Sequence, residues 1–422
     1  MRKTPRKLSL IVVAALAAVC STAFADEYGD ARARLVAAYE AEQFDDMVDA
    51  AQEALDARPE YPGALFNLAF AQAHAEQPGA SLATLKRLAA KGIDYGIADI
   101  EAFAAVRELP GYGRYAALMT ALAEPVGTAE VAYRLDDGRF VPEGIAIDAD
   151  GTLYLGSIYR GYIIRVGEKT EKLAYGLDFD HWSIYGMRLD GDTLWYASSA
   201  VEQFDELDEA DAGKNGLFAI NLKTNEIEQR AILPETVGWQ VLGDLAIDDD
   251  GRFYLSDQTD GVVYAYEPDK DEFDILVPKG TIRSPQGLVP AGNNRLYVAD
   301  YIGGLFLVDT ESGRARQVTG PRNASLYGID GMAGYGNTLI AIQNGIQPNR
   351  VVQLYLSDDG MTVEKSRILA MNLEHFDEPN LGQVIGDTFY FIANSHWNRF
   401  DRDGNLPDGL AGPIVLRVDL AE

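Results

Sequence analysis

A short pattern recurs six times in the C-terminal two-thirds of the chain, and it constrains the fold more than any other feature. In its clearest copy, residues 141–155, a polar residue enters an apolar strand, an Asp/Gly turn follows, and a second strand is rich in aliphatic and aromatic residues. The later copies begin near Tyr185, Gly243, Gln286, Asp330 and Asn380. Units of about 42 to 50 residues with four short strands each are typical of β-propeller blades. The repeat therefore predicts an all-β six-bladed propeller.

The two ends of the repeat array predict how the ring closes. The last copy has three strands of its own and ends at residues 414–418. Residues 129–135 precede the first copy and have no strand partner within it. We predict that this segment supplies the missing outer strand of the last blade, because closure removes exposed strand edges. The second copy is longer because it carries an acidic insertion at residues 202–214.

Residues 29–122 have a helical pattern instead. Apolar residues recur at helical spacing, for example at Leu35, Ala38 and Tyr39, and the helices are interrupted by Pro59 and by the Pro78 turn. The spacing in residues 64–90 is typical of tetratricopeptide repeats, which usually bind other proteins. We predict a small all-α tetratricopeptide-like domain at residues 26–125, with a protein partner, and the propeller at residues 126–422. A final helix is expected at residues 102–122.

The first 25 residues predict a secretory signal peptide. A basic start is followed by an apolar stretch at residues 8–19 and by the cleavage pattern Ala23-Phe24-Ala25. Cleavage would deliver the chain to the periplasm or the exterior and would remove Cys20, the only cysteine, so no disulfide is expected. The alternative is a lipoprotein anchored through Cys20, which the preceding Ala17-Ala18-Val19 matches poorly. No later stretch is long and apolar enough to predict a transmembrane helix.

The charge of the chain argues against two classes of partner. The formal net charge is −29 at pH 7, and the basic residues form no stripe. Phosphate backbones and anionic lipid surfaces would repel such a chain. We therefore expect neither nucleic acid nor an anionic membrane surface as a partner.

Each copy of the repeat places one residue at the same level of the central channel, and most of these residues carry oxygen. The candidate ligands are Glu143, Asp330, Asn380 and Gln286, together with Asp244 beside Gly243. Carboxylate and amide oxygens suit Ca²⁺ or Mg²⁺, whereas Zn²⁺ would favour His or Cys. The sequence predicts a divalent cation site, most simply for Ca²⁺. The alternative is that these polar groups bond to neighbouring blades and to water.

Histidines near the same level are candidate proton acceptors. His181 and His375 precede inner strands, and a neutral imidazole beside a metal-bound water can act as a general base. Asp330 could take the proton instead, and each histidine could equally be bonded to a backbone carbonyl. Other side chains near the strand ends are candidate substrate contacts, with Arg160 suited to binding a carboxylate. The candidate substrate contacts are Tyr185, Arg160, Asn344, Asn394, His396 and Trp397.

Several strings resemble the SMP-30/gluconolactonase/LRE-like six-bladed propellers. They are Pro142-Glu143-Gly144, Leu242-Gly243-Asp244, Ser284-Pro285-Gln286-Gly287 and Asp330-Gly331-Met332. Two further strings resemble an exported bacterial branch with an N-terminal tetratricopeptide-like region, namely Glu378-Pro379-Asn380 and Asn394-Ser395-His396-Trp397.

The resemblance implies one divalent cation at the channel mouth and hydrolysis of a lactone or related ester. In that family the ligands of the cation are a Glu of the first blade, an Asn of the third and an Asp of the fourth, and this Asp also acts as the general base. Glu143 matches the first ligand, whereas Gly243 and Gln286 stand at the other two positions, and the Asp-Gly-Met string recurs at Asp330 in the fifth blade. The implied function is an exported divalent-metal-dependent lactonase or esterase. The alternative is a non-catalytic ligand-binding propeller whose helical repeats dock a protein.

Overall fold

The structure is a computed structural model that describes residues 27–167, 169–174, 181–234, 240–401 and 403–421. The predicted signal peptide and Cys20 lie outside the described residues. The chain divides into two compact units. One comprises the residues up to 89 together with 95–116, and the other comprises residues 90–94 and the chain from 117 onward.

The first unit is helical. Its helices and the last helix of the region are α1 (Glu27–Glu40), α2 (Phe44–Ala57), α3 (Pro62–His74), α4 (Pro78–Ala90), α5 (Ala104–Arg107) and α6 (Tyr112–Leu122). Leu35, Met47, Leu65 and Phe103 are almost completely buried between them. Among the described residues, no helix combines the length and the apolar character that crossing a membrane requires. The tetratricopeptide-like character of the region stays a prediction.

The helix expected at residues 102–122 is interrupted. A 3₁₀ turn at Glu101–Phe103 leads into α5, and α6 begins only at Tyr112. Pro110 and Gly111 lie between the two helices, and a proline lacks the N–H that a helix interior needs. The expected final helical stretch is therefore present, but it is divided into two helices.

The second unit is a ring of six four-stranded antiparallel sheets, which confirms the predicted propeller. The strands of blades one to three are β2 (Pro142–Ile147), β3 (Leu153–Ser157), β4 (Ile163–Val166), β5 (Glu171–Ala174), β6 (Ser183–Asp190), β7 (Thr193–Ser199), β8 (Asn215–Asn221), β9 (Glu226–Ile232), β10 (Leu242–Ile247), β11 (Phe253–Asp257), β12 (Val262–Glu267) and β13 (Glu272–Val277). Those of blades four and five are β14 (Pro285–Pro290), β15 (Arg295–Asp300), β16 (Gly304–Asp309), β17 (Ala315–Gln317), β18 (Ile329–Tyr335), β19 (Thr338–Gln343), β20 (Arg350–Leu356) and β21 (Val363–Met371).

The sixth blade joins the two ends of the propeller sequence. It contains β22 (Gly382–Ile385), β23 (Thr388–Ile392), β24 (Ile414–Asp419) and, as its outer strand, β1 (Glu130–Arg134). Glu130 pairs with Arg417 and Arg134 with Ile414 in an antiparallel ladder. The predicted closing strand is thus confirmed.

The Asp/Gly turns of the repeat have a local cause. Asp148 Oδ1 accepts backbone N–H groups from Asp150 (3.0 Å) and Thr152 (2.8 Å), and Gly151 adopts a positive φ of 84°. Asp248 repeats the arrangement with Asp250 and Arg252. Such an aspartate replaces backbone partners inside the turn, and glycine accepts the left-handed conformation without strain.

Aliphatic and aromatic side chains fill the space between blades. At the closure, Phe140, Ile145 and Leu155 pack with Ile392 and Val415, and all five are buried. Each such side chain contributes about 1.5–3 kcal/mol when fully buried. The closure is therefore held by a packed core as well as by the β1–β24 ladder.

Candidate functional site

In five of the six blades the channel residue lies at a β-bulge near the start of the inner strand, whereas Asn380 precedes β22, whose pairing with β23 is regular. The register of the pairing with the second strand shifts between Pro142 and Gly144, and again between Ile329 and Met332. Equivalent shifts occur in β6, β10 and β14. A bulge leaves a residue outside the regular alternation and redirects its side chain. Glu143 and Asp330 are the residues placed in this way in blades one and five.

Glycines beside these residues let neighbouring inner strands approach closely. A Cβ added at Gly144 would lie 2.4 Å from the Tyr185 carbonyl oxygen, and one at Gly331 would lie 2.4 Å from the Asn380 carbonyl oxygen. Gly186 and Gly287 face the next blade at similarly short distances. No larger residue fits there without moving backbone. The repeat's glycines therefore bring the channel positions of successive blades together.

Glu143 is buried and is held by two donors. Its Oε2 accepts a hydrogen bond from Asn380 Nδ2 at 2.5 Å and one from Trp397 Nε1 at 2.7 Å. Burial raises the pKa of Glu143 well above its ordinary value, and the nearby charge of Asp330 adds to this, while the bonds from Trp397 and Asn380 oppose it. Glu143 is thus a carboxyl group for which ionisation is costly.

Asp330 has a parallel environment. Asn344 Nδ2 donates to Asp330 Oδ2 at 2.5 Å and to the Pro379 carbonyl oxygen at 2.9 Å, and Asn344 Oδ1 accepts from Tyr301 Oη at 3.0 Å. Burial raises the pKa of Asp330 to about 6, the charge of Asp244 adds to the increase, and the Asn344 bond opposes it. The amide of Asn344 therefore presents its nitrogen, not its oxygen, to the carboxylate.

Asn380 is oriented in the same sense. Its Oδ1 accepts the Leu381 N–H at 2.7 Å, and its Nδ2 donates to the Pro142 carbonyl oxygen at 3.1 Å as well as to Glu143. As oriented here, Asn380 is a donor to Glu143. Service as an oxygen ligand to a cation would require its amide to rotate.

Glu378 is a third carboxyl group at this level, and the sequence reasoning did not select it. The pKa of Glu378 is raised to about 7, mainly by burial and also by the charges of Asp330 and Asp377, while the Asn398 N–H, at 2.8 Å from Oε2, opposes the increase. Its position two residues before Asn380 in the quoted Glu-Pro-Asn string was the available signal.

Asp244 is engaged in holding three blades together. It is 1% exposed, pairs with Arg188 at 3.2 Å, and accepts the N–H groups of Leu245 at 2.8 Å and Leu288 at 3.0 Å. Burial raises its pKa, and the Arg188 charge opposes the shift. These contacts favour a structural role for this carboxylate.

Gly243 leaves space in the third blade, next to two amide oxygens. A Cβ at this position would lie 3.4 Å from Gln258 Oε1 and 3.5 Å from Gln286 Oε1. Gln286 also donates to Ser284 Oγ at 3.4 Å. Gln258 follows the second strand and was not among the predicted site residues. Two uncharged amide oxygens thus face the recess at Gly243, the space that a side chain at this position would fill.

Tyr185 lies beside Glu143 with its hydroxyl unsatisfied. The side chain is 0% exposed, and among the described residues its Oη has no hydrogen-bond partner. Its ring centroid lies 6.4 Å from that of Trp397, and burial followed by the charge of Glu143 raises its pKa. A buried hydroxyl without a partner in the protein is a candidate contact for a bound molecule.

The three propeller histidines each contact different partners. His181 is buried, with Nδ1 2.5 Å from Tyr196 Oη and Nε2 3.1 Å from the Gly161 carbonyl oxygen. His375 Nε2 contacts Arg134 of the outermost strand at 2.7 Å. His396 Nε2 lies 2.9 Å from the Ala411 carbonyl oxygen. The structure does not bring His181 or His375 into a contact with Glu143 or Asp330.

Asn394 and Arg160 also have protein partners. Asn394 Oδ1 accepts the Ile414 N–H at 2.7 Å, and its Nδ2 donates to the Gly412 carbonyl oxygen at 3.1 Å, so that it supports β24. Arg160 pairs with Asp205 at 3.1 Å and with Asp137 at 3.8 Å. Trp397, by contrast, reaches the centre of the site through Glu143.

Three of the eleven described non-glycine residues with positive φ lie beside the site. Val141, Glu378 and His396 all have positive φ angles, at 38°, 66° and 62°. They precede Glu143, Asn380 and Trp397 by one or two residues. A β-branched residue in this region is a genuine outlier, and such strain, about 1–3 kcal/mol for each residue, clusters at functional sites.

The described residues contain no group of three or more His, Cys, Asp or Glu side chains arranged to hold a metal ion. The central site comprises two amide-bound carboxyl groups, Glu143 and Asp330, with Glu378 and Tyr185 close enough for their charges to interact with Glu143. The two glutamine oxygens face the space beside Gly243.

Comparison with known proteins supports the fold. Residues 132–166 match a family model described as "Strictosidine synthase-like, N-terminal", and no curated protein sequence matches the chain. A solved luciferin-regenerating enzyme is 14% identical, with a TM-score of 0.50, over 70% of this chain and 95% of that one.

Two other solved structures are similar at lower scores. A calcium-binding protein, regucalcin, from Agrobacterium tumefaciens strain C58 is 16% identical over 68% of this chain and 95% of that one, with a TM-score of 0.47. A PQQ-bound aldose sugar dehydrogenase from Streptomyces coelicolor is 14% identical over 70% of this chain and 99% of that one, with a TM-score of 0.49. At this identity, the likeness to the luciferin-regenerating enzyme shows that the chain shares its fold.

Proposed function

We propose that the protein is an exported hydrolase of the lactonase or esterase type that acts at the propeller channel with a divalent cation. The observation that carries the proposal is the pairing of Glu143 with Asp330. Glu143 is buried and Asp330 is half-buried, and the principal neighbours that act on the pKa of each are other carboxylates and neutral donors, not basic side chains. Buried carboxylates in such surroundings are neutralised either by protons or by a cation.

The donor chemistry fits a hard cation. Glu143 and Asp330 would hold it, with the amide oxygens of Gln286 and Gln258 as further donors facing the Gly243 recess. When bound, a cation of this kind polarises a carbonyl group and makes a bound water more acidic. Asp244 is committed to Arg188 and two backbone N–H groups, which makes it a poorer ligand.

Side chains of the protein would orient the site, accept the proton and bind the substrate. Trp397 and Asn380 hold the Glu143 carboxylate in one orientation, so that it needs no reorganisation when substrate arrives. Asp330 would accept a proton from the attacking water, as a carboxylate general base. Tyr185 would donate its unsatisfied hydroxyl to a substrate oxygen. His181 and His375 are less suited to proton transfer here because of the contacts they make elsewhere.

Two further parts of the proposal concern the N-terminal region. Residues 1–25 would direct export, and the helices of residues 26–125, if tetratricopeptide-like, would dock a protein partner.

The test is made on the purified chain that starts at residue 26. Metal content is measured, Ca²⁺ and Mg²⁺ binding is followed by calorimetry, and a panel of lactones and esters is assayed. We expect Glu143→Gln and Asp330→Asn each to lower cation affinity and turnover by at least about tenfold, because each removes a charged ligand. Glu272→Gln, on the exposed outer strand β13, is the matched control. Unchanged binding and turnover in both channel variants would sink the proposal.

A second function is favoured by the amide orientations. Asn380 and Asn344 already satisfy Glu143 and Asp330 by donation, as expected for a site that holds an uncharged or hydrogen-bonding ligand without a cation. Under this reading the protein is a non-catalytic ligand-binding propeller. A metal-free protein that turns over no lactone or ester but binds a small molecule, and loses that binding in Glu143→Gln, would support it over the hydrolase.

A further inference from the structure

A row of aromatic rings leads away from Glu143. Trp397 donates a hydrogen bond from Nε1 to Glu143. Its ring centroid lies 5.7 Å from that of Phe400, in an edge-on arrangement, and the Phe400 ring centroid lies 6.2 Å from that of Tyr159. Trp397 and Phe400 are half-buried, so part of each ring faces solvent. An apolar surface therefore begins directly beside the carboxylate of the proposed reaction site.

Arg139 lies at the far end of this row. Its guanidinium is 5.2 Å from the centroid of the Tyr159 ring and donates to Tyr159 Oη at 3.2 Å. Its ion pair is with Asp408 at 3.7 Å, and the Asp408 side chain is fully exposed. An exposed pair of this geometry is weak and is easily displaced. Arg139 is thus a cation that is anchored on an aromatic ring but only loosely paired.

The Arg160 guanidinium also stacks on the Tyr159 ring, 5.6 Å from its centroid, but its ion pairs differ from those of Arg139. Two aspartates, Asp205 and Asp137, lie within ion-pair distance of Arg160. A substrate carboxylate would have to compete with both. The clamp that the sequence suggested for Arg160 is therefore better placed at Arg139.

We propose that Trp397, Phe400 and Arg139 form a substrate subsite for a carboxylic acid that carries a flat apolar ring. The ring would lie on the exposed faces of Trp397 and Phe400, and the carboxylate would bind the guanidinium of Arg139 in place of Asp408. The chain carries a formal net charge of −29 and repels anions, so an anionic group would be received at a positive side chain. This inference rests on the proposed function, because the occupant is taken to be the substrate of that site.

The test compares 3-phenylpropionate with its neutral analogue 3-phenylpropionamide by calorimetry on the chain that starts at residue 26. We expect the acid to bind about tenfold more tightly than the amide, because a charge-assisted bond to a guanidinium is stronger than a neutral one. Arg139→Gln should remove this preference, and Arg139→Lys should retain part of it. Arg134→Gln, an arginine on the outermost strand, is the control that should preserve the preference.

A second variant tests the aromatic surface. Phe400→Leu keeps an apolar side chain but removes the aromatic ring. It should lower the affinity for the acid and the affinity for the amide to a similar degree. Equal affinity of the unaltered protein for acid and amide would overturn the inference, as would a preference that survives in Arg139→Gln. Calorimetry needs no turnover, so an inactive protein that still prefers the acid refutes the hydrolase without refuting the subsite.

Discussion

The amide nitrogen of Asn380 lies 2.5 Å from Glu143 Oε2, across the closure between the sixth and first blades. The two residues are 237 positions apart in the sequence. Their contact couples the closure of the ring to the orientation of a buried carboxylate. It also provides a direct way to distinguish a cation site from a hydrogen-bonded one.

Asn380→Asp replaces the donor with a second carboxylate at this distance. Without divalent cations, we expect it to destabilise the fold at pH 7 by on the order of 2 kcal/mol, because two adjacent carboxyl groups must either repel each other or hold a proton between them. Added Ca²⁺ should recover this stability and raise the melting temperature more than in the unaltered protein. Thermal unfolding with and without chelator measures both effects.

The matched control is Asn221→Asp. Asn221 Nδ2 also donates to a carboxylate, Glu228 Oε1, at 2.8 Å, but on the exposed outer strands of blade two. Its effect should stay below about 1 kcal/mol and should not respond to Ca²⁺. A Ca²⁺ response of Asn380→Asp no larger than that of the control would contradict a cation site at Glu143.

Tyr301→Phe should change the site without touching a carboxylate. The Tyr301 hydroxyl donates to Asn344 Oδ1 and so holds the amide nitrogen toward Asp330. Without it, the bond to the Pro379 carbonyl oxygen still opposes rotation of the amide, which can nonetheless more readily present oxygen to a cation shared with Asp330. We expect Ca²⁺ affinity to rise about 2- to 10-fold, the equivalent of one hydrogen bond, as measured by calorimetry. An unchanged or weaker affinity would show that this hydroxyl does not control the amide.

His181→Phe should cost stability and leave catalysis intact. The change leaves Tyr196 Oη and the Gly161 carbonyl oxygen without the imidazole they contact, at a cost of about 2–4 kcal/mol. The turnover number of the folded fraction should be unchanged, and His375→Gln, at the outer strand, should alter neither quantity. If His181→Phe instead lowered turnover about 10²-fold or more with little loss of stability, His181 would be the general base.

Asp257→Asn tests a buried carboxylate that has no part in the proposed mechanism. Burial raises the pKa of Asp257 from 3.8 to about 6, and its Oδ2 has no hydrogen-bond partner among the described residues. The folded state therefore holds this proton more tightly than the unfolded state, so stability falls as pH rises from about 4 to 6 and stays lower above that. The total loss from this group is at most about 3 kcal/mol.

The asparagine variant has a neutral amide that does not ionise as the pH rises. We therefore expect the free energy of unfolding of Asp257→Asn to exceed that of the unaltered protein at pH 7.5, and the difference to vanish or reverse at pH 4. Urea unfolding at the two pH values measures it. A difference that is independent of pH would mean that Asp257 titrates normally.

The described helices and blades could largely be predicted from the sequence because they depend on local periodicity. Alternation with a period of two, interrupted by the Asp148 and Asp248 turns, predicted the paired strands, and the unpaired segment before blade one predicted β1. Helix boundaries near Pro59 and Pro78 follow from proline chemistry in the same way. Pro110, inside the expected last helix, was the signal that the sequence reasoning overlooked.

The chemistry of the channel was decided by the tertiary structure. Alignment of the repeat copies placed Glu143, Asp330 and Asn380 at the same level of the channel. It did not show whether an amide faces a carboxylate with its oxygen or with its nitrogen. That choice depends on distant groups, namely Tyr301 for Asn344 and the Leu381 N–H for Asn380. Likewise, His181 is a plausible base in sequence and a buried hydrogen-bonded side chain in the structure. Local pattern determines which residues a strand can present, whereas partners brought from other blades determine what those residues can do.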